Sequence, residues 1–190
     1  MELMFRDSER EKYEAVWRNE RYRSQHDGLA VVDEAFAAMG CQPGDTLIDW
    51  GCGTGRAAMR FKELGLDALC FDIAANCLDP DVKIPLVVGA LWEARTGIDA
   101  DYAFCTDVLE HIPEDYVGMS LDMLAARTHR AAFIQVDTVM DLSGPEMKPP
   151  MRLHLTVRDR KWWRDELHKR WKTVEGSPGE YSRWRYICTK

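Results

Sequence analysis

Short apolar runs alternate with stretches in which apolar residues recur at helical spacing. The runs Thr46-Leu47-Ile48, Ala68 to Asp72, Ile84 to Val88, Asp101 to Thr106 and Ala131 to Val136 read as five strands. Between them, Ala57, Ala58 and Phe61 mark a helix that Gly65 stops, and Val117, Leu121 and Leu124 mark another. Pro113 suits the first turn of that second helix, with Glu114 and Asp115 at its positive end. Ahead of the first strand, Ser8 to Arg23 predicts a helix with a Ser8–Glu11 capping box and an apolar face of Tyr13, Val16 and Trp17. Asp27-Gly28 breaks it. A second helix runs from about Leu29 to Met39 and stops at Gly40, and Pro43-Gly44 makes a turn.

The last third of the chain is less regular. Residues 137–150 are polar and rich in breakers, which predicts a loop or lid over the strand ends. Thr156 with Asp159 predicts a capped helix bearing Trp162, Trp163 and Leu167. Thr173 to Glu175 and Ser182 to Cys188 can form a final hairpin around Gly176-Ser177-Pro178-Gly179. Strands alternating with helices predict an α/β fold, and no repeat is visible.

Candidate chemistry concentrates at Thr46 to Phe61, TLIDWGCGTGRAAMRF. Asp49 stands at the end of a strand, then Gly51, Gly53 and Gly55 alternate with larger residues before a helix starts. Such a turn lets backbone approach a ligand, and the helix start offers N–H donors. A dinucleotide fingerprint needs G-x-G-x-x-G. Here the third glycine comes one residue early, and Arg56 holds the last position. The acid before the first glycine suits an ammonium group better than a pyrophosphate. A tight strand-to-helix turn in another α/β protein is the plain alternative. Asp72, about 20 residues further on, stands where a βαβ unit delivers an acid to ribose hydroxyls. Capping of the next helix is its competing role.

Composition fits an ordinary globular chain: 190 residues, 46% hydrophobic and 30% charged. The formal net charge of −7 argues against a nucleic-acid partner, which needs many cationic phosphate contacts. No apolar run reaches membrane-spanning length, and MELMFRDSEREK lacks a signal-peptide core. The six cysteines are scattered without a C-x-x-C, so reduced, buried thiols in a cytoplasmic protein and no metal site are expected.

The segment PGDTLIDWGCGTGR, Pro43 to Arg56, resembles motif I of the class I S-adenosylmethionine (SAM) methyltransferases. Asp72-Ile73-Ala74 matches that family's motif II. CTDVLEHIP, Cys105 to Pro113, resembles its post-strand motif in small-molecule enzymes, and the stretch from His154 through Trp162-Trp163 resembles the corresponding part of small members. The resemblance implies one domain over residues 1–190, with 1–40 a helical cover and 41–190 a Rossmann-like core. It also implies a seven-stranded sheet of order 3-2-1-4-5-7-6, the last strand antiparallel, with helices on both faces.

The implied cofactor is SAM. Asp49 and the backbone of Gly51, Cys52, Gly53 and Gly55 would hold its methionyl end, with Thr106 at the end of the fourth strand. Asp72 would hold the ribose, and Ile73 would pack on adenine. The family's acid after the third strand is missing, since the chain reads Gly89-Ala90-Leu91-Trp92. Backbone at Ala90 and Leu91 takes its place, with Trp92 a site residue or a core residue alike. Tyr13, Trp17, Tyr22 and Arg23 line the implied cover, or simply pack on the sheet.

The implied activity is methyl transfer to an O or N acceptor on a small molecule. His111, His154 and Asp137, in that order, are the candidates to take a proton. Glu110 and His111 equally suit bracing roles in their loop, and His154 a structural one. The [DNS]-P-P-[YFW] signature of amino-methylating nucleic-acid enzymes is absent after the fourth strand. Three other readings stand beside this one: a SAM-binding regulatory module without turnover, a macromolecular acceptor, and, less well matched in its glycines, a nicotinamide oxidoreductase.

Overall fold

The structure is a computed structural model that describes residues 2–24, 27–93, 97–140 and 151–190. Its centre is one seven-stranded sheet of order β3-β2-β1-β4-β5-β7-β6. The strands are β1 (Thr46–Trp50), β2 (Asp67–Asp72), β3 (Leu86–Val88), β4 (Ala100–Thr106), β5 (Thr128–Asp137), β6 (Thr173–Pro178) and β7 (Arg183–Thr189). The first five are parallel. β7 runs antiparallel to both β5 and β6. Strand order reverses between β2-β1 and β4, so the carboxyl ends of β1 and β4 open a crevice where ligands bind in such sheets.

Alternation along the strands assigns the two faces. Leu47, Phe104 and Phe133 point to one side, where they meet Val32 and Ala35 of α4 (Val32–Met39) and Phe61 of α5 (Arg56–Glu63). Ile48, Ala103 and Ile134 point to the other. There they meet Leu121 and Leu124 of α6 (Glu114–Arg127) and Trp163 of α7 (Arg160–His168). Layers of helix over both faces of a mostly parallel sheet bury its central strands, as their near-continuous apolar runs require, while the edge strand β6 stays largely exposed.

Several local expectations are corrected. The Ser8 to Arg23 helix is two: α1 (Glu2–Val16) and α2 (Glu20–Arg23). Ser8 lies inside α1, and the true cap is Asn19, whose side chain accepts from Arg21 N–H at 3.0 Å and Tyr22 N–H at 3.4 Å. The second helix is likewise split into α3 (Asp27–Ala30) and α4, so Asp27-Gly28 begins a helical turn rather than breaking one. Gly40 ends α4 in the left-handed conformation, as its position predicts.

The third strand starts at Leu86 rather than Ile84. Pro85 has no N–H to give a ladder and contributes only its carbonyl, which accepts from Cys70 N–H. Asp159, not Thr156, caps α7, accepting from Trp162 N–H at 2.8 Å. Thr156 instead donates its hydroxyl to Ile112 O at 2.6 Å. Of the expected lid, residues 141–150 lie outside the described residues. All six cysteines are buried and unbridged. Among the described residues no helix is long and apolar enough to cross a membrane.

Phe61 is fully buried and meets Phe104 edge to face at 5.0 Å. Phe61→Ala is expected to lower unfolding free energy by about 3–5 kcal/mol, measured by urea denaturation. A loss below about 1 kcal/mol would contradict this view of the α5–sheet contact.

Candidate functional site

The turn after β1 is made by left-handed backbone: φ is 75° at Gly51 and 51° at Gly53. Side chains close in on both. A Cβ on Gly51 would lie 2.3 Å from Val108, and one on Gly53 would lie 2.7 Å from the Trp17 ring. Only glycine meets both demands.

Four N–H groups of this loop have partners within the chain. Gly51 and Cys52 donate to Phe71 O at 2.7 and 3.0 Å, and Gly55 donates to Cys52 O at 2.9 Å. Gly53 donates to Asp72 Oδ2 at 3.0 Å. Three of these four bonds go to β2, and Asp49 lines the cavity beside them.

Two cavities meet over this loop. The larger, of about 550 Å³, is lined by Asp49, Gly51, Cys52, Gly53 and Thr106, and extends to His111, Asp137 and His154. The smaller, of about 100 Å³, is lined by Asp72, Ile73, Gly89, Leu91 and Trp92. Trp17, Tyr22, Gly51, Asp107 and His111 line both. Gly55 lines neither; it packs toward Leu78 and Val82. Ala90 is buried in the core and lines neither. Trp92 serves in both senses, stacking on Tyr116 at 5.4 Å while it faces the smaller cavity.

Asp49 is 3% exposed, and its Oδ2 has no hydrogen-bond partner. Burial, then the nearby Asp72 charge, pushes its carboxyl up to about 8, against a lowering from Ala58 N–H. Asp72 is also buried, and burial pushes it up to about 6. Bonds from Ala74, Gly53 and Ile73 N–H restrain that rise. Its two oxygens accept from Ala74 N–H at 2.8 Å and Gly53 N–H at 3.0 Å. A carboxylate has about four acceptor positions, so capacity remains for a ligand hydroxyl.

Residues between α1 and α2 lie against the loop. Trp17 rests on Gly53 and meets Tyr22 edge to face at 5.0 Å. Arg23 is an anchor rather than a lining residue. It donates to the carbonyls of Trp17, Asn76 and Leu78 and to Asp79 Oδ1 at 2.7 Å. Asp79 Oδ2 takes Arg56 at 2.5 Å, so one acid ties α2 to the first turn of α5. Tyr13 bonds His111 Nδ1 through its hydroxyl at 2.9 Å.

The far end of the larger cavity is built by a short 3₁₀ turn, η1 (Leu109–His111), and the segment before α7. Leu155 and Thr156 N–H donate to Glu110 O at 2.8 and 2.9 Å, which locks the two together. His154 Nδ1 lies 2.7 Å from Val139 O, so that nitrogen carries the hydrogen. Asp137 is a bracing residue. Its Oδ1 accepts from Ser182 Oγ at 2.6 Å and Val139 N–H at 3.0 Å. Glu110 is fully buried, and burial with the Asp107 charge holds its carboxyl well above the ordinary range. Its Oε1 accepts from Asp137 N–H at 2.9 Å.

Some lining residues escape the sequence reading. Glu9 of α1 is 9% exposed and faces the smaller cavity from a helix whose charge pattern gives no sign of it. Asp107, with φ of 55°, pairs with Arg183 at 3.0 Å, and both line the larger cavity. Its place just past β4, at the crevice, is the signal that could have found it.

Sheet order, crevice and glycine turn together define the fold of the class I SAM-dependent methyltransferases. Among solved structures, magnesium protoporphyrin IX methyltransferase from Synechocystis PCC 6803, with bound SAH, matches 100% of both chains at 18% identity and a TM-score of 0.70. A Haloferax volcanii putative methyltransferase, in complex with its Trm112 activator, matches 95% of this chain and 96% of its own at 15% identity and a TM-score of 0.71. A SAM-dependent methyltransferase from Archaeoglobus fulgidus matches 85% and 92% at 12% identity and a TM-score of 0.68. No protein-family model and no curated protein matches the sequence.

A carboxyl pushed up on folding binds more protons in the native chain than in the unfolded one. Asp49 thus makes the ligand-free chain lose stability as pH rises from about 4 to about 8. Asp49→Asn is expected to be more stable than the parent at pH 8, by on the order of 2 kcal/mol, with a smaller difference at pH 5. Equal denaturation midpoints at both pH values would refute an Asp49 carboxyl raised by burial.

Proposed function

We propose that this chain is a methyltransferase that moves the methyl group of SAM to an oxygen or nitrogen on a small molecule. The observation that carries this reading is the buried, unpartnered Asp49 Oδ2 on the wall of the larger cavity. A carboxylate so placed is costly unless a cation meets it. The α-ammonium of SAM is such a cation, and Asp49 would hold it. Asp72 would accept from the ribose hydroxyls, and Ile73 and Leu91 would flank the adenine. Glu9 takes the place of the missing acid after β3 as acceptor for the adenine amino group. Trp17 and Tyr22, at the junction of the cavities, would exclude water from the reacting centre.

Bound there, SAM supplies a methyl carbon already activated by its sulfonium. The chain's task is then to align the acceptor and let its proton leave. His111 and His154 are the groups against which the acceptor atom would be set. Asp137 orders the loop behind them. The larger cavity continues well past Asp49 to these histidines, which favours turnover over a purely regulatory SAM-binding role. Its volume of about 550 Å³ suits a small acceptor.

Calorimetric titration with SAM and S-adenosylhomocysteine should give micromolar affinity for both, and none for NAD. Asp72→Asn should weaken SAM at least 100-fold while circular dichroism stays native. Binding of NAD alone, or full SAM affinity in the Asp72 variant, would overturn this placement.

A further inference from the structure

Glu110, His111 and His154 each offer one ligand atom, and these atoms lie within 4.8 Å of one another. Even at that limit, a point equidistant from the three lies about 2.8 Å from each. Side-chain shifts of roughly 0.7 Å would bring it to the 2.0–2.1 Å bonds of a divalent metal. The frame that holds them is rigid. Glu110 O takes the N–H groups of Leu155 and Thr156, and Thr156 Oγ1 ties to Ile112 O.

A second observation points to a ligand. Glu110 is fully buried, and its Oε2 has no hydrogen-bond partner although Oε1 is bonded. Glu110 also lines the larger cavity. The histidines are set up as ligands of this kind usually are, with one ring nitrogen spent on an outer partner. His154 Nδ1 donates to Val139 O, which puts the lone pair on Nε2. His111 Nδ1 is engaged by Tyr13 Oη at 2.9 Å. The two rings meet nearly perpendicular, at 85° and 4.8 Å.

We propose that Glu110 Oε2 and the Nε2 atoms of His111 and His154 bind a divalent cation, with an open position for an oxygen of the methyl acceptor. Two imidazoles and one carboxylate select a zinc-class ion over magnesium, which prefers oxygen donors. This departs from the absence of a metal site expected from the sequence, where no cysteine pattern pointed to one. A histidine pair separated by more than forty positions gives no spacing signal.

The cation's role in transfer rests on the methyltransferase reading; the binding site itself does not. It names the acceptor as a hydroxyl compound. Leu29, Val139, Met140 and Tyr181 are exposed around the same cavity and suit an apolar body. On binding the cation, the hydroxyl releases its proton to solvent. The oxygen lone pair then forms the O–C bond as the C–S bond breaks. The sulfur keeps that electron pair and leaves as the neutral thioether.

Cobalt(II) titration of the chelator-treated full chain tests the site without any turnover. One equivalent should bind in the micromolar range and give visible d–d absorption that zinc abolishes. His154→Gln and Glu110→Gln should each lose the bands while retaining native circular dichroism. Absence of stoichiometric binding, bands unchanged in a folded variant, or a near-ultraviolet thiolate–cobalt band from the buried cysteines would overturn the proposal. SAM titration of the metal-free chain separates the two readings. SAM binding without cobalt binding sinks the cation site alone. Cobalt binding without SAM binding sinks the methyltransferase reading alone.

Discussion

The grip of β2 on the turn after β1 is the constraint from which the site follows. Phe71 O takes two loop N–H groups, and Asp72 takes a third. These three donors are spent within the chain. What it leaves on the cavity wall is Asp49, whose Oδ2 nothing in the chain satisfies. An unpaired buried carboxylate is tolerated where the surroundings fix it and a ligand needs it. The same grip sets Asp72 within reach of the second cavity, so one set of hydrogen bonds positions both acids.

The cover depends on that turn in its own way. Gly53 has no side chain, so the Trp17 ring can lie directly on the loop. Asp79 then fastens α2 to α5 through Arg23 and Arg56. Tyr13 carries the cover onward to His111. The N-terminal helices, the glycine loop and the turn after β4 are thus one hydrogen-bonded unit around the two cavities.

Much of this was legible in the sequence because it is local. Apolar runs mark the strands, and Gly51, Gly53 and Gly55 mark the turn, since backbone of that shape admits few alternatives. The glycine spacing also separated this turn from a dinucleotide loop. What the sequence hid is set by tertiary contact. Ser8 lies inside α1, and the chain breaks after Val16 so that Asn19 caps a separate α2. Thr156 is drawn from capping to Ile112 O by the packing of η1. Arg23 and Ala90 take anchoring and core places, and Asp137 braces its loop while it lines the larger cavity. Glu9 reaches its cavity only because α1 docks there.

The central claim is that Asp49 receives the ammonium of SAM as a carboxylate. The most direct test is the pH dependence of SAM affinity for the parent chain and for Asp49→Asn. With Asp49 near pH 8 in the ligand-free chain, binding must expel its proton. Affinity of the parent should then fall by roughly tenfold between pH 7.5 and pH 6.5, while the asparagine variant binds more weakly with a nearly flat profile. A flat profile in the parent, or equal affinity in the variant, would contradict the account.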